Sequence, residues 1–404
     1  YWQCKLRSRT QEELLNVARE HKRRGLPLDA IVIDFFHWTL QGDFRFEPRD
    51  WPDPDAMVKE LHDMGVETVV SVWPTVDERS RNYPFMAEHG YLVASDHGCS
   101  LNSTWMGNTT YFDATHPDAQ KFVWEQCKEN YYQKGIRCFW LDEAEPEYGN
   151  YDFDNYRYYA GPALQCSNVY PVGYAKGFYE GLKEAGEENV MSLIRCAWAG
   201  SQKYAVLTWS GDVYSSFRSM REQLQAGLSM GMAGIPWWTS DIGGFIGGQP
   251  DDPGFRELLM LWFAWGCFCP VFRMHGERSP WYEREVEYID NVRQLTSGQP
   301  NEVWSFGEKV YEVLKKFLFL RERLRSYVRS LMKEASETGA PVMRPLFFDF
   351  PSDPACWNVE DSYMFGPDLL VSPVMEAGAQ QRSVYLPAGC RWTDAYTHLS
   401  LIHI

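Results

Sequence analysis

Positive charge is scarce in this chain: 39 Lys and Arg stand against 55 Asp and Glu, a formal net charge of −16. Such a surface repels phosphate backbones, so nucleic acid is not an expected partner. Long apolar runs are also missing. The longest uncharged apolar stretch, Leu258 to Phe272, is too short to cross a bilayer, and no membrane span is expected. Ten cysteines are scattered, with Cys267-Phe-Cys269 as the one close pair. Without CxxC or zinc-type Cys/His spacing, reduced core thiols are expected, which favours a cytoplasmic setting. No glycine-rich segment ends in Gly-Lys-Ser/Thr, and Gly243-Gly-Phe-Ile-Gly-Gly248 reads as a rim turn, not a phosphate loop. The chain opens on Tyr1, without Met, so the lack of a signal peptide is uninformative.

What is present is apolar and aromatic. Hydrophobic residues make up 45% of 404 positions, and aromatics reach 16% with 17 Trp. Flat faces of this kind suit sugar rings as well as cores. The residues Cys138-Phe-Trp-Leu-Asp142 read as a buried strand that stops in carboxylate. The design recurs in Ala30–Asp34, Thr68–Pro74, Val190–Arg195, Val206–Asp212, Gly234–Asp241 and Cys269–His275, and Tyr1-Trp2-Gln3 reads as the stub of an eighth strand. Helices are predicted in most gaps: Thr10 to Gly25, with Leu14, Leu15, Val17 and Ala18 inward; Pro54 to Gly65; Pro117 to Gln133; and near 172–185, 217–229 and 254–266. The segment 75–115 reads as a long excursion with structure of its own. Eight strands alternating with helices predict a (β/α)8 barrel, here residues 1–335. A doubly wound sheet would carry a glycine-rich phosphate turn after its first strand, and none occurs. A long helix is expected over 307–334. Runs at Val342–Phe350, Leu369–Val374 and Ser383–Leu386 then predict the start of an antiparallel β-domain over 336–404, cut short by the end of the chain.

Active sites of such barrels lie at the carboxyl ends of the strands. Asp34, Trp73, Asp142, Arg195, Asp212, Asp241 and His275 sit there. A purely structural barrel has no reason to gather four acids, an Arg, a His and a Trp at one rim. Glycoside hydrolysis uses such a set, with two reacting carboxyl groups, further charged groups on ring hydroxyls and aromatic walls, here Trp73, Trp140, Trp209, Trp237 and Trp238. Metal-assisted hydrolysis is the chemical rival, but His275 is the only strand-end His and no second one lies at ligand spacing. No metal and no cofactor are expected. Carboxylate count alone does not decide which two acids react.

The set Trp140-Leu-Asp142-x-x-Glu145, Arg195, Trp209-x-Gly-Asp212, Ser240-Asp-Ile-Gly-Gly-Phe245 and Arg273-x-His275-Gly resembles glycoside hydrolase family 31, retaining α-glucosidases, α-xylosidases and relatives. The motifs cover nearly the whole chain in the family's order and approximate spacing. The resemblance implies Asp142 as nucleophile and Asp212 as general acid/base. It implies Asp34, Trp73, Trp140, Arg195, Trp209, Asp241, Phe245 and His275 around the sugar. Arg195 would hold the Asp142 pKa low, and a less polar place would raise that of Asp212. Glu143 departs from the family pattern, which often has an apolar residue there, while Glu145 and Glu147 read as groups behind the reacting acids or on the surface. Family members usually carry an N-terminal β-sandwich ahead of the barrel, so a fragment is expected here, with a clipped first barrel strand and an open sheet edge.

In place of the Asp-x-Asp-Tyr common among the family's α-glucosidases stands Asp34-Phe-Phe-His-Trp38. Phe35 and Phe36 fill the space a hydroxymethyl group needs. The expected activity is therefore an exo-acting α-xylosidase on α-glycoside or oligosaccharide substrates. An α-glucosidase, a transglycosylase and an inactive sugar-binding relic are the alternatives. The sequence leaves a homo-oligomer open.

Overall fold

The computed structural model describes residues 1–98, 103, 106–148, 153–281, 288–289, 292–293, 297–398 and 400–401. Seven short strands form one parallel sheet: β1 Trp2–Gln3, β2 Ala30–Ile33, β3 Glu67–Val72, β4 Cys138–Leu141, β5 Ser192–Ile194, β6 Val206–Thr208 and β7 Arg273–Met274. Their spatial order is β6-β5-β4-β3-β2-β1-β7. The segment 234–242 fills the remaining gap through two isolated parallel bridges, Thr208 with Trp238 and Ile242 with Met274. The regular strand expected at Gly234–Asp241 is therefore not formed. Pro236 has no N–H to give to a ladder, and Gly234 sits at φ +84°, so pairing on both sides is reduced to single contacts. The open edge expected at β1 is also not found, because Trp2 and Gln3 pair with both β2 and β7.

Strand alternation sorts side chains between two cores. Ala30, Val32, Val69, Leu193 and Leu207 point into the barrel with Cys4, Trp140 and Trp209. Their neighbours Ile31, Ile33, Val70, Val72, Phe139, Leu141 and Ile194 face the helical layer. Burying each such side chain contributes about 1.5–3 kcal/mol, the main driving term for this architecture.

Six helices alternate with the strands: α1 Gln11–Arg23, α2 Pro54–Asp63, α3 Pro117–Asn130, α4 Tyr170–Glu184, α5 Phe217–Met232 and α6 Pro253–Gly266. Thr10 caps α1 by accepting the Glu13 N–H at 3.2 Å. Pro54, Pro117 and Pro253 occupy first turns, where no N–H is needed. Leu14, Leu15 and Ala18 are buried under α1, whereas Val17 is partly buried at the edge of the same core. At Gly181 in α4 a Cβ would stand 2.3 Å from the Trp124 ring of α3, so only glycine lets these helices approach. No helix among the described residues is long and apolar enough to cross a membrane.

The single helix expected over 307–334 is two, α7 Glu308–Arg323 and α8 Arg325–Thr338. The break at Leu324 lets each half dock separately. Buried Arg321 ties α7 to the barrel through the carbonyls of Cys267, Cys269 and Pro270. Tyr327 ties α8 to the C-terminal sheet through Phe365 O. That sheet is antiparallel: β8 Met343–Pro345, β9 Tyr363–Phe365 and β10 Leu369–Val371. The long strand expected at Val342–Phe350 stops at Pro345, which lacks the next ladder donor, and Leu346–Asp349 forms a short helix. Residues 383–386 form no strand.

Candidate active site

One parity rule builds the site. Asp34, Asp142, Arg195 and His275 each lie two residues beyond an inward-pointing residue (Val32, Trp140, Leu193 and Arg273), so all four project above the barrel core. Register aligns them, since Val72 pairs with Leu141 and Leu141 with Ile194. That places Trp73, Asp142 and Arg195 side by side. Asp212 arrives differently, from the loop after β6, past Gly211 at φ +77°.

These residues surround a cavity of about 610 Å³. Its wall holds Asp34, Trp73, Trp140, Asp142, Arg195, Asp212, Phe245 and His275, together with Leu6, Phe35, Glu143, Glu147, Tyr111, Glu277 and Trp281. Thr75, Thr109 and Tyr111 come from the antiparallel pair Thr75–Asp77 and Thr109–Tyr111, which belongs to the excursion noted in the sequence.

Trp209 and Asp241 are not on that wall. Trp209 packs edge-on against Trp140 at 5.5 Å between centroids. The Arg273 guanidinium lies 5.3 Å from the Trp209 ring and 5.6 Å from that of Trp140, and it is ion-paired to the fully buried Asp241. This trio holds the floor from behind. Trp238 is likewise core: a Cβ on Gly227 of α5 would touch its Nε1 at 2.7 Å. Trp237 also lies outside the wall and packs partly buried against both cores. Removing Arg273 would strand a buried carboxylate. Arg273→Met is expected to cost about 3–5 kcal/mol of stability in denaturant melts at neutral pH. Burial lifts Asp241 to about 6 against the pull of Arg273. Without Arg273 the Asp241 pKa rises further, so the loss should shrink as the pH falls toward about 6, where the variant's carboxyl is already neutral.

Arg195 is shared among four carboxylates, with Asp142 the most distant of them. It bonds Glu145 at 2.8 Å, Glu143 at 3.2 Å and also Glu147, with Asp142 farther away at 3.7 Å. The expectation that Arg195 holds the Asp142 pKa low is not met. Burial raises that carboxyl above its usual range, against the opposing pulls of Arg195, the Glu143 N–H and the Trp73 indole. Trp73 Nε1 donates to Asp142 Oδ2 at 3.1 Å. Asp212 is lifted to about 8, by burial first and the Asp142 charge second, with Arg195 opposing. Glu145 and Glu147 are half-exposed but serve as the anchors of Arg195, and Glu143, at φ +52°, turns its side chain to the cavity. The signal for this was legible: three glutamates on alternate positions after one strand, facing a single Arg.

Several buried polar atoms around the cavity floor lack a hydrogen-bond partner: Asp34 Oδ2, Asp142 Oδ1, Trp140 Nε1, His275 Nδ1 and, behind them, Asp241 Oδ2 and Trp209 Nε1. Orphaned donors and acceptors cost free energy unless a ligand meets them. Donors and acceptors so interspersed match a ligand rich in hydroxyls, which both give and accept. One set of three donors suited to a metal exists among the described residues: Cys4, Asp34 and His275. All described cysteines are free thiols.

A parallel α/β barrel with a carboxylate- and aromatic-lined cavity at its carboxyl rim is the class these observations define. Residues 1–331 match the family model for the glycosyl hydrolases family 31 TIM-barrel domain, and residues 339–403 match that for the family's C-terminal domain. The chain belongs to glycosyl hydrolase family 31. It is 63% identical to an uncharacterized family 31 glucosidase of Pseudescherichia vulneris over 69% of this chain and 53% of that protein. An α-xylosidase of Saccharolobus solfataricus is 33% identical over 98% of this chain and 51% of its own length. A family 31 α-xylosidase from a soil metagenome, solved with xylose, superposes with a TM-score of 0.97 at 59% identity, covering 99% of this chain and 59% of its own. The chain thus spans about half the length of the curated relatives it matches.

Proposed function

We propose that the protein is an exo-acting, retaining α-glycosidase that removes terminal α-linked xylose. The observation that carries this reading is the division between two carboxyls on the cavity wall, Asp142 buried at the end of β4 and Asp212 on the exposed loop after β6. Asp142 has a Trp73 indole donor, the Glu143 N–H and the Arg195 charge; at Asp212 the Arg195 charge works against desolvation and the Asp142 charge. In this reading Asp212 carries the proton and Asp142 is the ionised partner. Asp142 then attacks the anomeric carbon as the glycosidic C–O bond breaks, and Asp212 gives its proton to the departing oxygen. In the second step Asp212 takes a proton from water, whose oxygen displaces Asp142 from that carbon. The orphaned floor atoms supply partners for the ring hydroxyls. A 5-fluoro-xylosyl fluoride is expected to trap an ester on Asp142, identified by peptide mass. Absence of label, or label on another acid, would refute the assignment, and no label at all is what an inactive sugar-binding relic gives.

The preference for xylose rests on Phe35, which lies on the cavity wall against Trp73 at 4.9 Å between centroids. Phe36 sits behind it, against Phe35 at 5.2 Å. Xylose as the ligand of the metagenomic relative supports the same choice. Shortening Phe35 should admit the extra hydroxymethyl of glucose. Phe35→Ala is expected to raise the ratio of kcat/KM for aryl α-glucoside over aryl α-xyloside about 10–200-fold. An unchanged ratio, or a wild-type protein that prefers the glucoside, would favour the α-glucosidase reading.

A further inference from the structure

We propose that Cys4, Asp34 and His275 bind a soft divalent cation such as Zn²⁺ at the floor of the cavity, where the bound ion excludes the sugar. The barrel register brings the three together. Gln3 pairs with Ile31 on one side and Met274 on the other, so Cys4, just beyond β1, lies level with His275, and Asp34 is two positions above Val32. A thiol sulfur, an imidazole nitrogen and a carboxylate oxygen then lie within 4.8 Å of one another. Each residue is 2% exposed. Asp34 Oδ2 has no hydrogen-bond partner and stands 4.0 Å from His275 Nε2. The other Asp34 oxygen is fixed by the Phe35 N–H at 2.7 Å. Cys4 Sγ makes only a long contact with Lys5 O at 3.9 Å. No strong bond has to be broken to recruit either group.

Zinc wants S and N donors at about 2.3 and 2.0 Å, so the donors must close by about an ångström. Three protein ligands leave a fourth tetrahedral position open, and Asp34 and His275 both face the cavity. Charge also balances. The Sγ–H bond of Cys4 breaks, a sulfur–metal bond forms and the proton leaves to water through the cavity. Thiolate and carboxylate then offset the two charges of the ion. Arg273, the cation that bears on all three residues, is already offset by Asp241. The sulfur–nitrogen–oxygen donor set selects against Mg²⁺ and Ca²⁺, which take oxygen.

Exclusion of sugar rests on the function proposed above; ion binding does not, and the test separates them. Co²⁺ added to the whole chain is expected to give a near-ultraviolet thiolate-to-cobalt band at one ion per chain. Zn²⁺ and, independently, xylose should bleach it. Cys4→Ala and Cys4→Ser should lose the band. In turnover of an aryl α-xyloside, Zn²⁺ should compete with substrate, and Cys4→Ala should raise the inhibiting concentration by about tenfold or more. A cobalt band that survives in both variants places the ion elsewhere and overturns the site. A band insensitive to xylose, or Zn²⁺ inhibition that is noncompetitive or equal in wild type and variant, overturns the exclusion. A protein that fails to turn over still gives the spectroscopic result. Should a variant not fold, the wild-type band and its bleaching by xylose decide the matter.

Discussion

Asp142→Ala is expected to lower kcat on an aryl α-xyloside by roughly 10⁴-fold or more, because the variant lacks the carboxylate proposed to form the covalent intermediate. Azide, small enough to occupy the vacated space, should restore turnover of α-xylosyl fluoride and yield xylosyl azide of β configuration, the single inversion left when the first displacement is made by an external anion. Residual activity within tenfold of wild type, or an α-azide, would assign the attack elsewhere. Misfolding has a separate signature. Burial holds the Asp142 pKa above its usual range, so ionised Asp142 costs stability that is absent below the carboxylate range and appears as the pH rises through its folded pKa. Asp142→Asn removes that cost and should melt at or above the wild-type temperature at neutral pH. An inactive variant with an unimpaired melt separates chemistry from fold.

Asp212→Ala should divide substrates by their leaving groups. Xylosides that need their departing oxygen protonated are expected to lose about 10²–10⁴-fold in kcat/KM, while xylosyl fluoride falls by less than about tenfold. The pH profile carries the sign. With the Asp212 pKa lifted to about 8 and the proton needed for its proposed role, wild-type kcat/KM should fall as pH rises through that value. In Asp212→Ala that alkaline limb should vanish. A limb that persists in the variant would belong to another group and remove Asp212 from the role. The same shift makes the protonated state favour the fold: this contribution is complete below the unfolded carboxylate pKa and is lost as the pH rises through about 8.

Much of the architecture was legible because buried parallel strands announce themselves as short apolar runs, and because helix starts carry Thr10, Pro54 and Pro117 at positions where only certain residues fit. What failed was local. Gly234–Asp241 has a strand's composition, yet Pro236 denies it a ladder, and only the neighbours on both sides show how little pairing remains. The break at Leu324 has no marker residue, since it answers to two docking surfaces, the barrel at Arg321 and the C-terminal sheet at Tyr327. Trp238 was expected at the cavity for the same reason as Trp140, namely a tryptophan near a strand end. Its placement depends on a glycine in α5, residue 227, far from it in sequence.

The sequence by itself determined that Asp34, Asp142, Arg195 and His275 would share one rim, because period-two alternation and a common strand direction leave them no other place. How those charges are distributed emerges only from the folded chain: Arg195 is shared among Asp142, Glu143, Glu145 and Glu147, and Asp241 and Trp209 brace the floor from behind. The physical reason is that a side chain's neighbours across a barrel come from distant strands, and electrostatic energy in a low-dielectric cavity depends on those distances and on burial.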